Sequence, residues 1–107
     1  TNELIHQPNN YNIVAAYPNP FNPSTTISYD LKEWSLVRMN IYDLLGRNIL
    51  DLDQRIKPPG QHTFKFHSKD RKGSKLPSGI YFYQLIVNDS MNKKELFSKT
   101  KKMMIVK

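Results

Sequence analysis

The 107-residue length suits a single domain, and a chain without cysteine has neither a disulfide framework nor thiol chemistry. No apolar run approaches the roughly 20 residues of a membrane-spanning helix, and no secretory signal is visible in the polar stretch 1–10. The net charge of +7 is uneven: residues 1–53 hold 3 basic and 6 acidic residues, whereas residues 54–107 hold 13 basic and 3 acidic residues.

The first part of the chain alternates turn residues with short runs of β-branched and aromatic residues, which predicts strands and no helix longer than a turn. A first strand is predicted at 11–16. Three prolines at alternate positions follow within 18–23; they cannot donate to a sheet ladder and predict a stiff, extended crossover, pinned to the core by Phe21. In the strands predicted at 25–31 and 36–42, inward-facing and outward-facing side chains alternate with period 2. The side chains predicted to face the core are Ile27, Tyr29, Leu31, Val37, Met39 and Ile41.

The second part of the chain continues the strand pattern. Residues 43–47 predict a hairpin turn in which Gly46 supplies a positive φ. Loops are predicted at 57–60 and at the charged stretch 68–78. The remaining strands are predicted at 47–52, 62–66, 79–88 and 95–106, the last open to a break near Ser98. About seven strands at regular spacing predict an all-β fold, an immunoglobulin-like antiparallel β-sandwich with Greek-key connections.

Four stretches together resemble one known family: YPNPFNPSTTISYDL (17–31), VRMNIYDLLGR (37–47), LPSGIYFYQL (76–85) and KKMMIVK (101–107). In this order they resemble the type A C-terminal sorting domain of the type IX (Por) secretion system, a family related to the immunoglobulin-like domain of the flagellar hook-capping protein. The matching motif residues are Pro18, Asn19, Pro20, Phe21, Gly46, Ser78, Gly79, Tyr81, Tyr83, Lys101, Lys102 and Lys107. Where many relatives have Trp, then Asn or Asp, then Gly, this chain has Phe66-His67-Ser68, which questions the loop geometry there.

The resemblance implies a function and a destination. Such domains are non-catalytic secretion signals at the end of larger exported proteins of Bacteroidetes-type Gram-negative bacteria. The implied route crosses the periplasm to a secreted or cell-surface location. The implied partners are the outer-membrane secretion machinery, an upstream cargo domain of the same chain, and a sortase-like peptidase that cuts within 1–16. We accordingly expect residues 1–10 to be a linker from an upstream domain and residues 11–107 to be the sorting domain.

Residues that could carry other chemistry are few. The chain has three histidines, His6, His62 and His67, and no two share a face at metal-ligand spacing. Asp51 and Asp53 could both point to one side and bind calcium, but two carboxylates without an Asp-rich or Asn-rich loop are weak evidence. We interpret them as solvent-exposed acids. The basic loop 69–75 lacks the interleaved aromatics that stack bases, so we interpret the lysines as aids to solubility and edge protection. We therefore predict no enzyme, no cofactor, no metal and no nucleic-acid partner.

Strand 79–88 is apolar on both faces, although a sandwich strand needs only one apolar face. One face holds Tyr81, Tyr83, Leu85 and Val87. The other face, paired with strand 36–42, predicts an outer patch that comprises Arg38, Asn40, Tyr42, Ile80, Phe82, Gln84 and Ile86. Within it, Tyr42, Ile80, Phe82 and Ile86 form either an interface or a surface covered by the tail or a loop.

Two further classes of function stay open at this point. The outer patch suggests an immunoglobulin-like accessory module that binds a neighbouring catalytic domain or carbohydrate. The family relation to the hook-capping protein suggests a self-associating assembly domain. In either case a terminal strand at a sheet edge can pair with a strand of another chain.

Overall fold

The computed structural model describes residues 11–21 and 23–106, so the predicted linker 1–10 and Lys107 lie outside the described residues. Within them the chain forms seven strands. They are β1 (Asn12–Tyr17), β2 (Ser24–Leu31), β3 (Ser35–Asp43), β4 (Asn48–Lys57), β5 (Gly60–His67), β6 (Gly79–Asp89) and β7 (Glu95–Ile105). The described part of the chain contains no helix long and apolar enough to cross a membrane.

The strands form two antiparallel sheets. The three-stranded sheet has the order β1-β2-β5 and the four-stranded sheet the order β4-β3-β6-β7. The chain crosses between the sheets after β2, β4 and β5, whereas β3–β4 and β6–β7 are hairpins within one sheet. This arrangement confirms the predicted immunoglobulin-like Greek-key sandwich.

Two strand predictions are corrected. The fourth strand continues beyond residue 52 to Lys57, because an irregularity between Val37 and Met39 lets the pairing with β3 resume as far as Ser35. The last strand is unbroken at Ser98, which pairs with Ile86; its irregularity lies at Leu96, which the pairing skips between Val87–Phe97 and Asn88–Glu95. Bulges add a residue to one strand only, and nothing in the hydrophobic period marks them.

The core lies between the two sheets and contains the residues that period-2 alternation predicts. Ile27, Leu31, Ile41, Leu85 and Val87 are fully buried. Burying a large apolar side chain stabilises a fold by about 1.5–3 kcal/mol, so these positions fix which face of each strand turns inward. Trp34, by contrast, is 57% exposed and is no counterpart of the core tryptophan in antibody domains.

One buried hydrogen bond joins the sheets. The hydroxyl of Tyr83, in the middle of β6, accepts the backbone N–H of Ala16 in β1 at 3.0 Å. The pairing of β1 with β2 is irregular between Val14 and Tyr17, and Ala16 lies within that irregularity. Burial raises the pKa of Tyr83 and the bond from Ala16 opposes that rise, with burial the stronger effect.

Candidate functional site

The four stretches that carry the family resemblance meet at one end of the sandwich. Asp43, the last residue of β3, pairs with Tyr81 near the start of β6. Gly79, the first residue of β6, pairs with Ile105 at the end of β7, and Phe21 forms a parallel bridge to the same Ile105. This end, formed by residues 19–21, 43–47, 76–81 and 102–106, is named the motif end. The far end carries the turns at 32–34 and 90–94.

The proline motif clamps the outer edge of the last strand. Phe21 donates its N–H to the carbonyl of Met104 and accepts the N–H of Val106, both at 3.0 Å. The side chain of Asn19 completes the pattern: its Oδ1 accepts the N–H of Met104 at 2.9 Å, and its Nδ2 donates to the carbonyl of Lys102 at 3.5 Å. We name this set of bonds the proline clamp. It limits the expected pairing with a strand of another chain, because the edge of β7 from residue 102 to 106 is already bonded to Asn19 and Phe21.

Phe21 anchors the clamp in the core, as predicted. It is 1% exposed and meets the ring of Phe66 edge to face, with ring centroids 6.0 Å apart. Thr25 donates its hydroxyl to the carbonyl of Pro18 at 2.6 Å. The crossover itself is bent rather than extended at residues 18–20. The peptide bonds before Pro18 and Pro20 are both cis. The sequence pattern alone does not distinguish cis from trans X-Pro bonds.

The hairpin at 43–47 is held rigid by one carboxylate. Oδ1 of Asp43 accepts the N–H groups of Leu45 and Arg47 at 3.0 and 2.9 Å, and Oδ2 accepts Nε of Arg47 at 2.8 Å. Gly46 adopts the predicted positive φ, 85°, and donates its N–H to the Asp43 carbonyl. Desolvation acts to raise the pKa of Asp43, but the bonds from Arg47 and Leu45 outweigh it and the pKa is lowered.

The hairpin presents two large apolar side chains that the sequence analysis did not single out. Leu44 is 63% and Leu45 is 77% exposed. Turn positions are usually polar, so two consecutive leucines inside a short hairpin turn are the sequence feature that could have marked this site. The sequence did not show whether the leucines point into the core or into solvent.

The loop between β5 and β6 forms the opposite wall of a groove at the motif end. Nη2 of Arg71 donates to Oδ1 of Asn48 at 2.7 Å and its Nε donates to the carbonyl of Ile49 at 3.2 Å, which ties the loop to β4. The hydroxyl of Tyr81 donates to the carbonyl of Pro77 at 2.7 Å. The groove between this loop and the hairpin has a volume of about 660 Å³.

The loop after β5 holds its shape without the glycine found in many relatives. Ser68 donates its N–H to the carbonyl of Pro23 at 2.9 Å, and Leu76 donates its N–H to the carbonyl of Ser68 at 3.0 Å. Lys93 is the one non-glycine residue with a positive φ in the described part of the chain. Phe66, His67 and Ser68 therefore all have negative φ, and none of them adopts a backbone conformation reserved for glycine.

The predicted outer patch is brought together on the four-stranded sheet. Tyr42 pairs with Phe82 and Arg38 with Ile86 across β3 and β6. The hydroxyl of Tyr42 donates to Oε1 of Gln84 at 3.1 Å. Ile80, Phe82 and Ile86 are half-buried on this face. The patch is thus contiguous but only partly exposed, and its use as an interface stays a proposal.

The basic motif residues of the last strand lie in two different settings. Lys101 pairs with Tyr83, is half-buried and shares the strand face of Met103 and Ile105. Lys102 is exposed, pairs with Phe82 and borders the outer patch.

The residues considered for other chemistry are dispersed. Nε2 of His62 lies 2.7 Å from the carbonyl of Pro58, and its ring stacks on Tyr29. Asp51 accepts a bond from Asn48 at 2.9 Å. His67 is exposed, while His6 lies outside the described residues. Across 11–21 and 23–106 no three histidine or acidic side chains gather as metal ligands would.

A family model supports the resemblance over most of the chain. The model of the secretion system C-terminal sorting domain matches residues 15–105. The matched span includes the proline motif, the Gly46 hairpin, all of β6 and the whole of β7. No curated protein matches the chain.

Several solved structures have a similar fold. The dimeric latent PorU of Porphyromonas gingivalis is 25% identical with a TM-score of 0.70 over 88% of this chain, which spans only 9% of that protein. FlgD from P. aeruginosa is 23% identical with a TM-score of 0.59, over 76% of this chain and 61% of FlgD. CopC from Methylosinus trichosporium OB3b is 14% identical with a TM-score of 0.56, over 90% of this chain and 93% of CopC. The last two similarities concern the fold alone.

Proposed function

The chain belongs to the family of secretion system C-terminal sorting domains, and from that premise we propose that it is a non-catalytic signal that directs a larger exported protein through the outer membrane to the cell surface. The observation that carries the proposal is the meeting of the four motif stretches at the motif end. Stretches up to 85 residues apart in sequence share one small surface only when the domain is folded.

The proline clamp supports a signal that is read as a folded shape. It bonds the first motif directly to the last, so that neither has its geometry without the other. Loss of the last strand would also remove the buried Met103 and Ile105 from the core. We therefore expect a truncation after Lys101 to destabilise the fold as well as remove the motif, so point substitutions are the better probes of recognition.

The partners in this proposal are those of a sorting signal. The outer-membrane secretion machinery recognises the motif end, and the cargo is an upstream domain of the same chain joined through residues 1–10. A sortase-like peptidase then removes the domain by cutting within residues 1–16. Basic motif residues at the last strand, including Lys101, Lys102 and Lys107, serve in recognition and in protecting the sheet edge.

Surface delivery of a reporter tests the proposal. The 107-residue chain is fused to the C-terminal side of a reporter with an N-terminal export signal, in a host that has the type IX system. We expect the reporter at the cell surface. As a control, Leu85→Asp places a charge in the fully buried core, unfolds the domain and leaves the reporter in the periplasm. A wild-type fusion that stays periplasmic would contradict the proposal.

A second candidate function rests on the outer patch around Tyr42 and Phe82. As an accessory module, the domain would bind carbohydrate or the neighbouring catalytic domain through this patch. Phe82→Ser should then weaken binding to a glycan array or to the parent's catalytic domain while the fold survives, because Phe82 is half-buried on the outer face. Absence of binding in both assays would dismiss this candidate and leave the sorting function unaffected.

A further inference from the structure

The groove at the motif end has an apolar lining that continues from the core, through the buried Leu76 and Tyr81, to side chains that the core does not bury. Its volume is about 660 Å³, and the apolar residues that line it are Leu44, Leu45, Ile49, Leu76, Pro77, Ile80 and Tyr81. Leu44 and Leu45 stand at its edge with 63% and 77% of their surface exposed. Large apolar side chains that stay exposed add little to the stability of the fold and are typical of contact surfaces.

Both walls of the groove are pre-organised. On one side the Asp43 carboxylate fixes the turn that carries the two leucines, through its bonds to Leu45 and Arg47. On the other side Arg71 is bonded to β4 and the Tyr81 hydroxyl holds Pro77. A partner that enters such a groove loses less free energy to ordering of the domain than it would on a mobile surface.

The charge that the groove presents to a partner is positive. Its two carboxylates are occupied within their own turns: Asp43 as described, and Asp70 by the N–H groups of Lys72 and Ser74 at 2.9 and 3.0 Å. Arg47 is ion-paired with Asp43, whereas Arg71 bonds to the neutral oxygens of Asn48 and Ile49 and Lys72 is exposed. The charged residues of the lining are thus three cations and two carboxylates. The loop stretch 69–75 carries four basic residues and one acidic residue. Cations in excess of carboxylates beside an apolar surface favour a partner with carboxylates next to apolar side chains.

We propose that this groove binds an extended peptide segment of a partner protein in which one or two large apolar side chains are flanked by carboxylates. The apolar side chains contact Leu44, Leu45 and Ile80, and the carboxylates approach the cations at the rim. The inference deepens the proposed sorting function, on which it rests for the motif end being the surface that the secretion machinery recognises.

Selection from a phage-displayed library of random seven-residue peptides tests the groove directly. With the wild-type chain as bait, we expect selected peptides that combine large apolar residues with Asp or Glu. Their affinity should fall about tenfold or more for Leu44→Ser with Leu45→Ser, which removes the apolar contact. Lys72→Gln should weaken binding severalfold and reduce its salt dependence.

A matched variant at the far end controls for general loss of apolar surface. Trp34 and Met91 are 57% and 88% exposed there, and Trp34→Ser with Met91→Ser should leave peptide affinity within about twofold of wild type. All four replaced side chains are exposed, so thermal unfolding midpoints should stay close to wild type. Selection of no peptide, of peptides without acidic residues, or of peptides that bind both double variants equally would overturn the inference.

The reporter fusion separates this inference from the function on which it rests. If the wild-type fusion reaches the surface but peptide selection fails, the sorting function stands and the groove is not its acidic-peptide site. If acidic peptides bind and the wild-type fusion stays periplasmic, the groove stands and the sorting proposal fails.

Discussion

At the scale of single residues, Tyr83 joins the two sheets through one buried bond. Its hydroxyl accepts the Ala16 N–H at 3.0 Å inside the core. Tyr83→Phe leaves that N–H buried without a partner, which costs about 1–3 kcal/mol. We expect the free energy of unfolding, measured by urea denaturation, to fall by that amount.

Tyr29→Phe is the matched control for this prediction. Tyr29 is buried in the opposite sheet, and its hydroxyl has no hydrogen-bond partner among the described residues. The loss in stability should therefore be smaller than for Tyr83→Phe. Equal losses for the two variants would show that the inter-sheet bond contributes nothing specific.

The carboxylate of Asp43 makes the stability of the hairpin depend on pH. Its pKa in the folded chain is lowered below the ordinary value of 3.8. A lowered pKa means that the contribution is complete above the pKa of the unfolded chain and is lost as the pH falls through the lower folded value. We expect Asp43→Asn to lower the thermal midpoint at about pH 6, and we expect this difference to shrink progressively as the pH falls below 3.8. A difference that is constant across this range would contradict the assignment.

At the scale of structural elements, the proline clamp is expected to protect the end of the last strand. Asn19→Ala removes the acceptor of the Met104 N–H and the donor to the Lys102 carbonyl. Because a lost hydrogen bond is worth about 1 kcal/mol, amide hydrogen exchange at Met104 should accelerate about five- to tenfold.

Asn92→Ala controls for loss of an asparagine. Asn92 accepts the Lys94 N–H at 2.8 Å in the turn at the far end. This substitution should leave exchange at Met104 unchanged. If Asn19→Ala also leaves it unchanged, the edge of the last strand is protected by something other than the clamp.

Strand faces could be predicted from the sequence, whereas the contacts at the motif end could not. Period-2 alternation places Ile27, Ile41 and Leu85 in the core because each strand has one buried face. The clamp depends on a bond between Asn19 and Met104 across 85 residues, and such a side chain to backbone bond has no local signature. The exposure of Leu44 and Leu45 could not be predicted either, since an apolar residue in a turn can lie in the core or on the surface.

At the scale of the whole molecule, the two ends of the sandwich differ in character. The motif end carries the clamp, the rigid hairpin and the basic loop, while the far end carries short turns. The charge asymmetry follows partly from this, because the basic loop 69–75 and the end of β7 both belong to the half of the chain with 13 basic residues. Part of the positive charge thus lies next to the motif end, while Lys93 and Lys94 lie in the turn at the far end.

The central claim is that the domain is recognised at its motif end, and surface delivery of the reporter by two folded variants tests it most directly. One variant carries Leu44→Ser and Leu45→Ser; the other carries Trp34→Ser and Met91→Ser at the far end. With equal thermal midpoints and equal expression, we predict that surface reporter falls about tenfold for the motif-end variant and stays within about twofold of wild type for the far-end variant. Equal delivery by the two variants, or a loss confined to the far-end variant, would contradict recognition at the motif end.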